Sequence, residues 1–226
     1  MVLYGVSVGP GDPEDMTVKA VRTLEKCRVI AVPRTGGERS LALSVAEKAA
    51  DLQGKEIVFI DLPMTRDSVK LSAAWEKAAG VLTGILERED AAMLCLGDIS
   101  VYSTFSYIGG LVAGAGFEVR WCPGVSSFCA GAAALGTELV SGSEVMTVIP
   151  YSSPELGQLL DRAGTKIVMK SGRNACKLKA LLREKGLLGS TAAVINVGLE
   201  GEKLLFGEDI PEEPGYFALF IIKDSI

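Results

Sequence analysis

Three short segments combine carboxylates, hydroxyls and glycines in a way that could hold a small polar ligand. They are Gly9-Pro10-Gly11-Asp12-Pro13, the run from Gly97-Asp98 through residue 105, and Pro123-Gly124-Val125-Ser126-Ser127. A carboxylate such as Asp98 can accept hydrogen bonds from a ligand's hydroxyls or amine. Adjacent glycines let backbone approach closely, and serines that open a helix offer hydroxyls and N–H groups.

Other chemistries are excluded by what is missing. The chain has no histidine, which removes Ser/His and Cys/His nucleophilic machinery, His-ligated metals and the commonest general base. Gly5-Val6-Ser7-Val8-Gly9 matches the G-x-S-x-G pattern of serine hydrolases, but it falls inside a strand and nothing can activate Ser7. The segment from Gly9 is no dinucleotide fingerprint either: Glu14 stands where the third glycine belongs, Pro10 removes an amide N–H, and Asp12 repels a pyrophosphate. Gly-x-x-x-x-Gly-Lys-Ser/Thr occurs nowhere in the 226 residues.

The elements that must position these residues follow from hydrophobic patterning. Short apolar runs at 3–8, 29–32, 57–60, 92–96 and 119–121 predict strands. Between them, Val18/Val21/Leu24 and Trp75/Ala78/Ala79/Leu82/Ile85/Leu86 predict helix faces. Such alternation predicts α/β architecture with a largely parallel sheet. The turns just past the five strands hold Pro10–Asp12, Arg34 and Thr35, Pro63 to Thr65, Gly97 and Asp98, and Pro123 and Gly124. In open α/β sheets the ligand crevice lies at the carboxyl ends of the strands, although turns collect Gly, Pro and Asp in any case.

After Gly124 the pattern changes. A small-residue helix over 126–135 precedes strands at 145–149, 167–169, 193–197 and 216–222, with helices near 154–163 and 175–185. Residues 203–206 and 216–222, separated by the Pro/Glu-rich 208–214, read as a hairpin-like pair and so as part of a mixed sheet. The expectation is two domains, 1–121 and 122–226, with a ligand cleft between the sheets.

Bulk properties narrow the class. A net charge of −5 and no basic stripe disfavour nucleic acid. The N-terminus reads as a first strand and not a leader. Residues 99–117 carry no charge, but their serines, tyrosines and glycines are too polar and broken for a lipid-facing helix, so a buried helix and no membrane association are expected. Five cysteines, odd in number and never spaced C-x-x-C, fit buried thiols in a reducing cytoplasm, with no metal site.

Taken together, residues 5–13, 97–99 and 123–127 resemble the G-x-G-P-G-D-P opening, G-D-P loop and P-G-[VI]-[ST]-[SA] segment of the tetrapyrrole methylase family, over essentially the whole chain. Ser7 departs from a usual glycine and Ile99 from a usual proline. Tyr102-Ser103-Thr104-Phe105, residues 29–34 and Met169-Lys170-Ser171-Gly172-Arg173 are most similar to the C-20 methyltransferases of corrin biosynthesis. The resemblance implies a two-domain fold, with a mostly parallel N-terminal sheet and a mixed C-terminal one. It also implies S-adenosylmethionine as methyl donor, a tetrapyrrole substrate and a homodimer. By motif, the cofactor contacts are Pro10, Gly97, Asp98, Val101, Tyr102, Ser103, Thr104, Ser126, Ser127, Met169, Gly198 and Ala218. Core packing accounts equally well for the apolar ones, and Asn196-Val197 stands where the family commonly has Glu-Arg before Gly198.

A sulfonium methyl is already activated and an electron-rich meso carbon is itself a nucleophile, so alignment in a dry site is the enzyme's main task. Asp98 and Tyr102 are the candidates for any base that helps remove the C-20 proton. Arg34, Arg39, Lys170 and Arg173 are candidates for holding the substrate's carboxylates, with solvated surface charge as the alternative. Any cobalt is expected to ride on the macrocycle. Other readings are a methylase acting at a different corrin carbon, on diphthine or on ribosomal RNA, a non-catalytic S-adenosylmethionine-binding protein, or a nicotinamide oxidoreductase.

Overall fold

The computed structural model describes residues 1–35 and 40–223, and the chain divides into two compact units, Met1–Ser126 and Ser127–Ile226. The boundary expected from sequence, 121/122, lies slightly earlier. Arg39 falls outside the described residues.

The first unit runs β1 (Val2–Ser7), α1 (Val18–Lys26), β2 (Val29–Arg34), α2 (Leu41–Ala49), β3 (Glu56–Asp61), α3 (Ser68–Leu86), β4 (Ala91–Cys95), α4 (Phe105–Gly114) and β5 (Glu118–Cys122). The five strands form one sheet in the order β3-β2-β4-β1-β5, and every neighbouring pair is parallel. Alternate β1 side chains serve opposite faces. Tyr4 and Val6 pack with α1 and α2 through Ala20, Leu24, Val45 and Ala46, whereas Leu3 packs with α3 and α4 through Ala78, Leu82, Phe105 and Ile108. Cover on both faces explains why the central strands read as unbroken apolar runs.

The same arrangement sends β1 into α1 on one face and its neighbour β4 into α4 on the other. Adjacent strands that leave on opposite faces make a topological switch point, where open α/β sheets form their ligand crevice. All five strand exits therefore share one edge, with the loops after β1 and β4 at its centre.

Two helix expectations change. On α1 the buried residues are Ala20 and Leu24, with Val21 only partly covered and Val18 64% exposed. The helix begins at Val18, capped by the Thr17 hydroxyl accepting from the Ala20 N–H at 3.1 Å, so Val18 sits on the first turn, roughly 200° round from Ala20. Within the uncharged run 99–117 only Phe105–Gly114 is helical, and it buries Phe105, Ile108, Gly109 and Val112 on one face. Among the described residues no helix is long and apolar enough to cross a membrane.

The second unit holds α5 (Ser127–Leu135), β6 (Met146–Pro150), α6 (Leu156–Leu160), β7 (Thr165–Met169), α7 (Ala175–Glu184), β8 (Thr191–Ile195), β9 (Lys203–Phe206) and β10 (Ala218–Ile222). Its sheet has the order β6-β7-β10-β8-β9, parallel only between β6 and β7, and is thus mixed. The hairpin expected between 203–206 and 216–222 does not form. β9 pairs antiparallel with β8 at the sheet edge, while β10 lies between β7 and β8. Burial explains this: all five β10 residues are buried, as a central strand requires, whereas β9 is half exposed. Tyr216 and Phe217 precede the strand and are exposed.

Candidate active site

At the switch point the loops are laced together by short-range chemistry. Gly9 and Gly97 form an isolated antiparallel bridge, the Gly97 N–H donating to the Gly9 carbonyl at 2.7 Å. Both have φ of +75°, a conformation open to glycine and strained for other residues. The Ile99 N–H donates to the Ser7 Oγ at 2.9 Å, in a buried position. The Thr17 hydroxyl donates to the Pro123 carbonyl at 3.3 Å, which ties the β1 exit to the β5 exit.

Asp98 is the centre of this lacing. It is only 8% exposed. One carboxylate oxygen accepts from the Ser100 amide at 2.9 Å and from the Ser100 hydroxyl, and the other accepts from the Gly124 amide at 2.7 Å. Burial pushes the Asp98 carboxyl up, but the Gly124 amide, the Ser100 hydroxyl and the Ser100 amide outweigh it, and its pKa lies below the ordinary carboxylate value. A carboxylate so held is an anion at neutral pH and a weak proton acceptor.

Tyr102 has φ of +49° and is 42% exposed on the same loop. Burial of part of its ring raises the phenol's pKa, so it is a neutral hydroxyl at physiological pH. Val101, Ser103 and Thr104 are half-buried beside it. The Ser103 hydroxyl accepts from the Phe105 amide at 3.1 Å and so fixes the start of α4. A Cβ placed on Gly97 would meet no atom of the described residues within 4 Å, so among them this part of the rim is uncovered. Pro10 is buried. Asp12 accepts from the Glu14 amide at 2.8 Å and caps its own turn. Asp15 has a raised carboxyl pKa from its own burial and from Asp12 nearby. Carboxylates and the absence of a phosphate cradle suit a cationic ligand better than a pyrophosphate.

Ser126 closes the first unit and Ser127 opens α5 in the second; both are half-buried. Within the second unit, register gathers most of the remaining candidates at one sheet edge. Met169 ends β7, Ala218 begins the antiparallel β10, and Ala218 pairs with Ile195, three residues before Gly198. Asn196 (φ +54°) donates its N–H to the Phe217 carbonyl at 2.9 Å, and the Gly198 N–H donates to Glu202 at 2.7 Å. Lys170 (φ +58°) and Arg173 follow β7 on this edge and are exposed. Between them, Ser171 is buried, and its hydroxyl finds no hydrogen-bond partner among the described residues.

Arg34 is differently placed. Its guanidinium forms a two-pronged pair with Asp61 across β2 and β3, Nε to Oδ1 at 2.7 Å and Nη2 to Oδ2 at 3.4 Å, and stacks 4.6 Å over the Phe59 ring. Asp61 raises the Arg34 pKa, and Arg34 lowers that of Asp61. The residue that sequence reasoning missed is Ser7. Its G-x-S-x-G setting is no nucleophile site, as the missing histidine already implies, and nothing in that pattern signals that the hydroxyl serves as a buried acceptor for Ile99.

An all-parallel sheet with a carboxylate-bearing, histidine-free rim at its switch point defines an α/β protein of the kind whose ligand crevices lie at such an edge. Comparison with known proteins specifies the family. The model of the Tetrapyrrole (Corrin/Porphyrin) Methylases matches residues 2–208. A probable cobalt-precorrin-2 C(20)-methyltransferase of Methanocaldococcus jannaschii is 34% identical over 228 residues, covering 98% of this chain and 95% of the relative. The cobalt-precorrin-2 C(20)-methyltransferase of Salmonella typhimurium is 32% identical over 206 residues, covering 89% and 86%. A Thermus thermophilus uroporphyrin-III C-methyl transferase, solved in complex with S-adenosyl homocysteine, superposes with a TM-score of 0.71 at 20% identity over 99% of this chain and 98% of that one, a likeness of fold. The chain belongs to the tetrapyrrole methylase family. It is a methyltransferase whose methyl donor is S-adenosylmethionine. Its two departures from the family pattern, Ser7 and Ile99, are hydrogen-bonded to each other.

Proposed function

We propose that this enzyme methylates C-20 of precorrin-2 or of its cobalt-containing counterpart, in cobalamin biosynthesis. The observation that carries the reading is near-full-length similarity, at 34% and 32% identity, to two relatives that both bear that activity in their names. The loop from Gly97 to Phe105 supports it, since it combines the anionic Asp98 with an open approach over Gly97.

S-adenosylmethionine, when bound, supplies a methyl group already activated by its sulfonium. The residues we assign to it on the first unit are Pro10, Gly97, Asp98, Val101, Tyr102, Ser103, Thr104 and Ser126. On the second unit they are Ser127, Met169, Gly198 and Ala218. Asp98 supplies fixed negative charge toward a cationic ligand and holds the rim in shape, a preorganised environment that needs no rearrangement during reaction. Tyr102 offers a neutral hydroxyl. Neither group is set up as a strong base at neutral pH, which fits a reaction whose main demand is alignment.

Lys170 and Arg173 are our candidates for the substrate's carboxylates. Arg34 is a weaker one, because Asp61 already occupies its fork. Homodimer assembly rests on the family resemblance, and a cytoplasmic location on the odd, unpatterned cysteines. The test is turnover with labelled S-adenosylmethionine and precorrin-2 or cobalt-factor II in parallel, with the methylated carbon located by mass spectrometry and carbon NMR. Methylation at C-20 of either substrate is expected. Product from neither, or product at another carbon, overturns the assignment.

A further inference from the structure

We infer that Ser7 is a positioning residue for cofactor binding: its side chain is the floor on which two loops of the ligand edge rest. Ser7 is the last residue of β1 and is fully buried. Its Oγ accepts from the Ile99 N–H at 2.9 Å, and Ile99 is itself only 2% exposed. That amide lies two residues past Gly97, at the root of the loop carrying Val101–Thr104. A buried amide deprived of its acceptor is penalised, so the bond holds the Gly97–Ser100 turn at one height.

The second contact is steric. A Cβ on Gly124 would lie 2.4 Å from the Ser7 Cβ and 3.1 Å from the Gly97 carbonyl oxygen. The Pro123-Gly124 backbone therefore rests directly on the Ser7 side chain and against the Gly97 turn. Asp98 closes the arrangement from above by accepting the Gly124 N–H at 2.7 Å. Ser7 thus couples the exits of β4 and β5 through its hydroxyl and its bulk, and the two contributions are separable. Alanine keeps the floor and loses the acceptor; glycine loses both.

This rests on the assignment of the Gly97–Thr104 loop to the cofactor, and the experiment keeps the two apart. S-adenosylhomocysteine binding is measured by calorimetry for wild type, S7A, S7G, I99P and S7A/I99P, with melting temperatures in parallel and turnover at saturating cofactor. Proline removes the amide that Ser7 accepts. S7A is expected to weaken binding about tenfold, the size of one buried hydrogen bond left unmade, and S7G further. kcat is retained within about twofold, because no reacting group is touched. In the I99P background, S7A has little further effect, since the partner it served is gone.

Unchanged affinity in S7A, even with a lowered melting temperature, overturns the inference, as do S7A and I99P effects that simply multiply. If S7A does not fold, S7C, which keeps the volume and a weak acceptor, is read by the same criteria. Hydrogen exchange of wild type with and without S-adenosylhomocysteine separates the two failures. Slowed exchange in residues 97–104 upholds the cofactor assignment whatever S7A shows. Exchange unaltered there removes that assignment and the role of Ser7 with it.

Discussion

Replacing Asp98 by alanine tests the site's architecture most directly. The substitution strips the Gly124 amide of its acceptor at 2.7 Å and the Ser100 amide of its acceptor at 2.9 Å, while the exposed Ser100 hydroxyl can turn to water. Each amide left without a partner in a buried setting costs about 1–3 kcal/mol, so about 3 kcal/mol in total is a fair sum once water reaches Ser100. For a chain of this size that lowers the melting temperature by about 6–12 °C. The sign of the pH dependence also follows. The Asp98 pKa lies below its ordinary value in the folded state, so its stabilisation is full above the unfolded carboxylate's pKa. It is lost as pH falls through the lower, folded one. The gap between wild type and D98N should therefore be constant near neutrality and shrink below about pH 4. Differential scanning fluorimetry from about pH 7 to about pH 3 measures both effects. A D98A melting temperature within about 1 °C of wild type, or a D98N gap that ignores acid, refutes the stabilising role of the Asp98 hydrogen bonds to Gly124 and Ser100.

Three further outcomes are expected. In G5A the new Cβ would sit 2.2 Å from Ile99 Cδ1 and 2.5 Å from Phe105 Cζ. Urea titration should show a loss of about 1–3 kcal/mol that shrinks in an I99V background; an unchanged midpoint would mean those side chains do not pack over Gly5. Ellman titration of native protein should find the exposed Cys129 and Cys176 reacting fast while buried Cys27, Cys95 and Cys122 lag until denaturant is added. Burial pushes the Cys95 thiol up to about 12 and that of Cys27 to about 11, and fast labelling of Cys95 would contradict its burial. R173A should raise the tetrapyrrole KM severalfold with kcat retained, whereas R34A stays within about twofold because its guanidinium is held by Asp61. The reverse order would exchange their roles.

Much of the first unit was legible from the chain because both faces of its sheet are covered. Such strands read as continuous apolar runs, and their ends are marked by Gly, Pro and Asp at predictable places. Patterning failed where it had to choose between equivalent partners or faces. Val18 fits the helical period as well as Ala20 does, yet the cap at Thr17 and the packing against Tyr4 and Val6 bury the alanine. Residues 203–206 fit β10 by chain proximity, yet β10's five buried residues demand a strand on either side, and β8 supplies the partner for β9.

The same division runs through the site. Residue types and spacing alone determined that no histidine chemistry occurs and that the Gly9-Pro10-Gly11-Asp12-Pro13 turn is a poor phosphate cradle. They also marked three loops that share one sheet edge, because in an all-parallel sheet every strand exit points the same way. What those residues do to one another was decided only by the tertiary structure. Asp98, which by type alone is a base or a ligand contact, spends its carboxylate on Gly124 and Ser100. Ser7, whose G-x-S-x-G pattern is already disqualified as a nucleophile by the missing histidine, is an acceptor for Ile99 ninety-two positions away. A hydrogen bond needs a donor within about 3 Å at a set angle, and separation along the chain carries no information about that distance until the strands have been ordered beside one another.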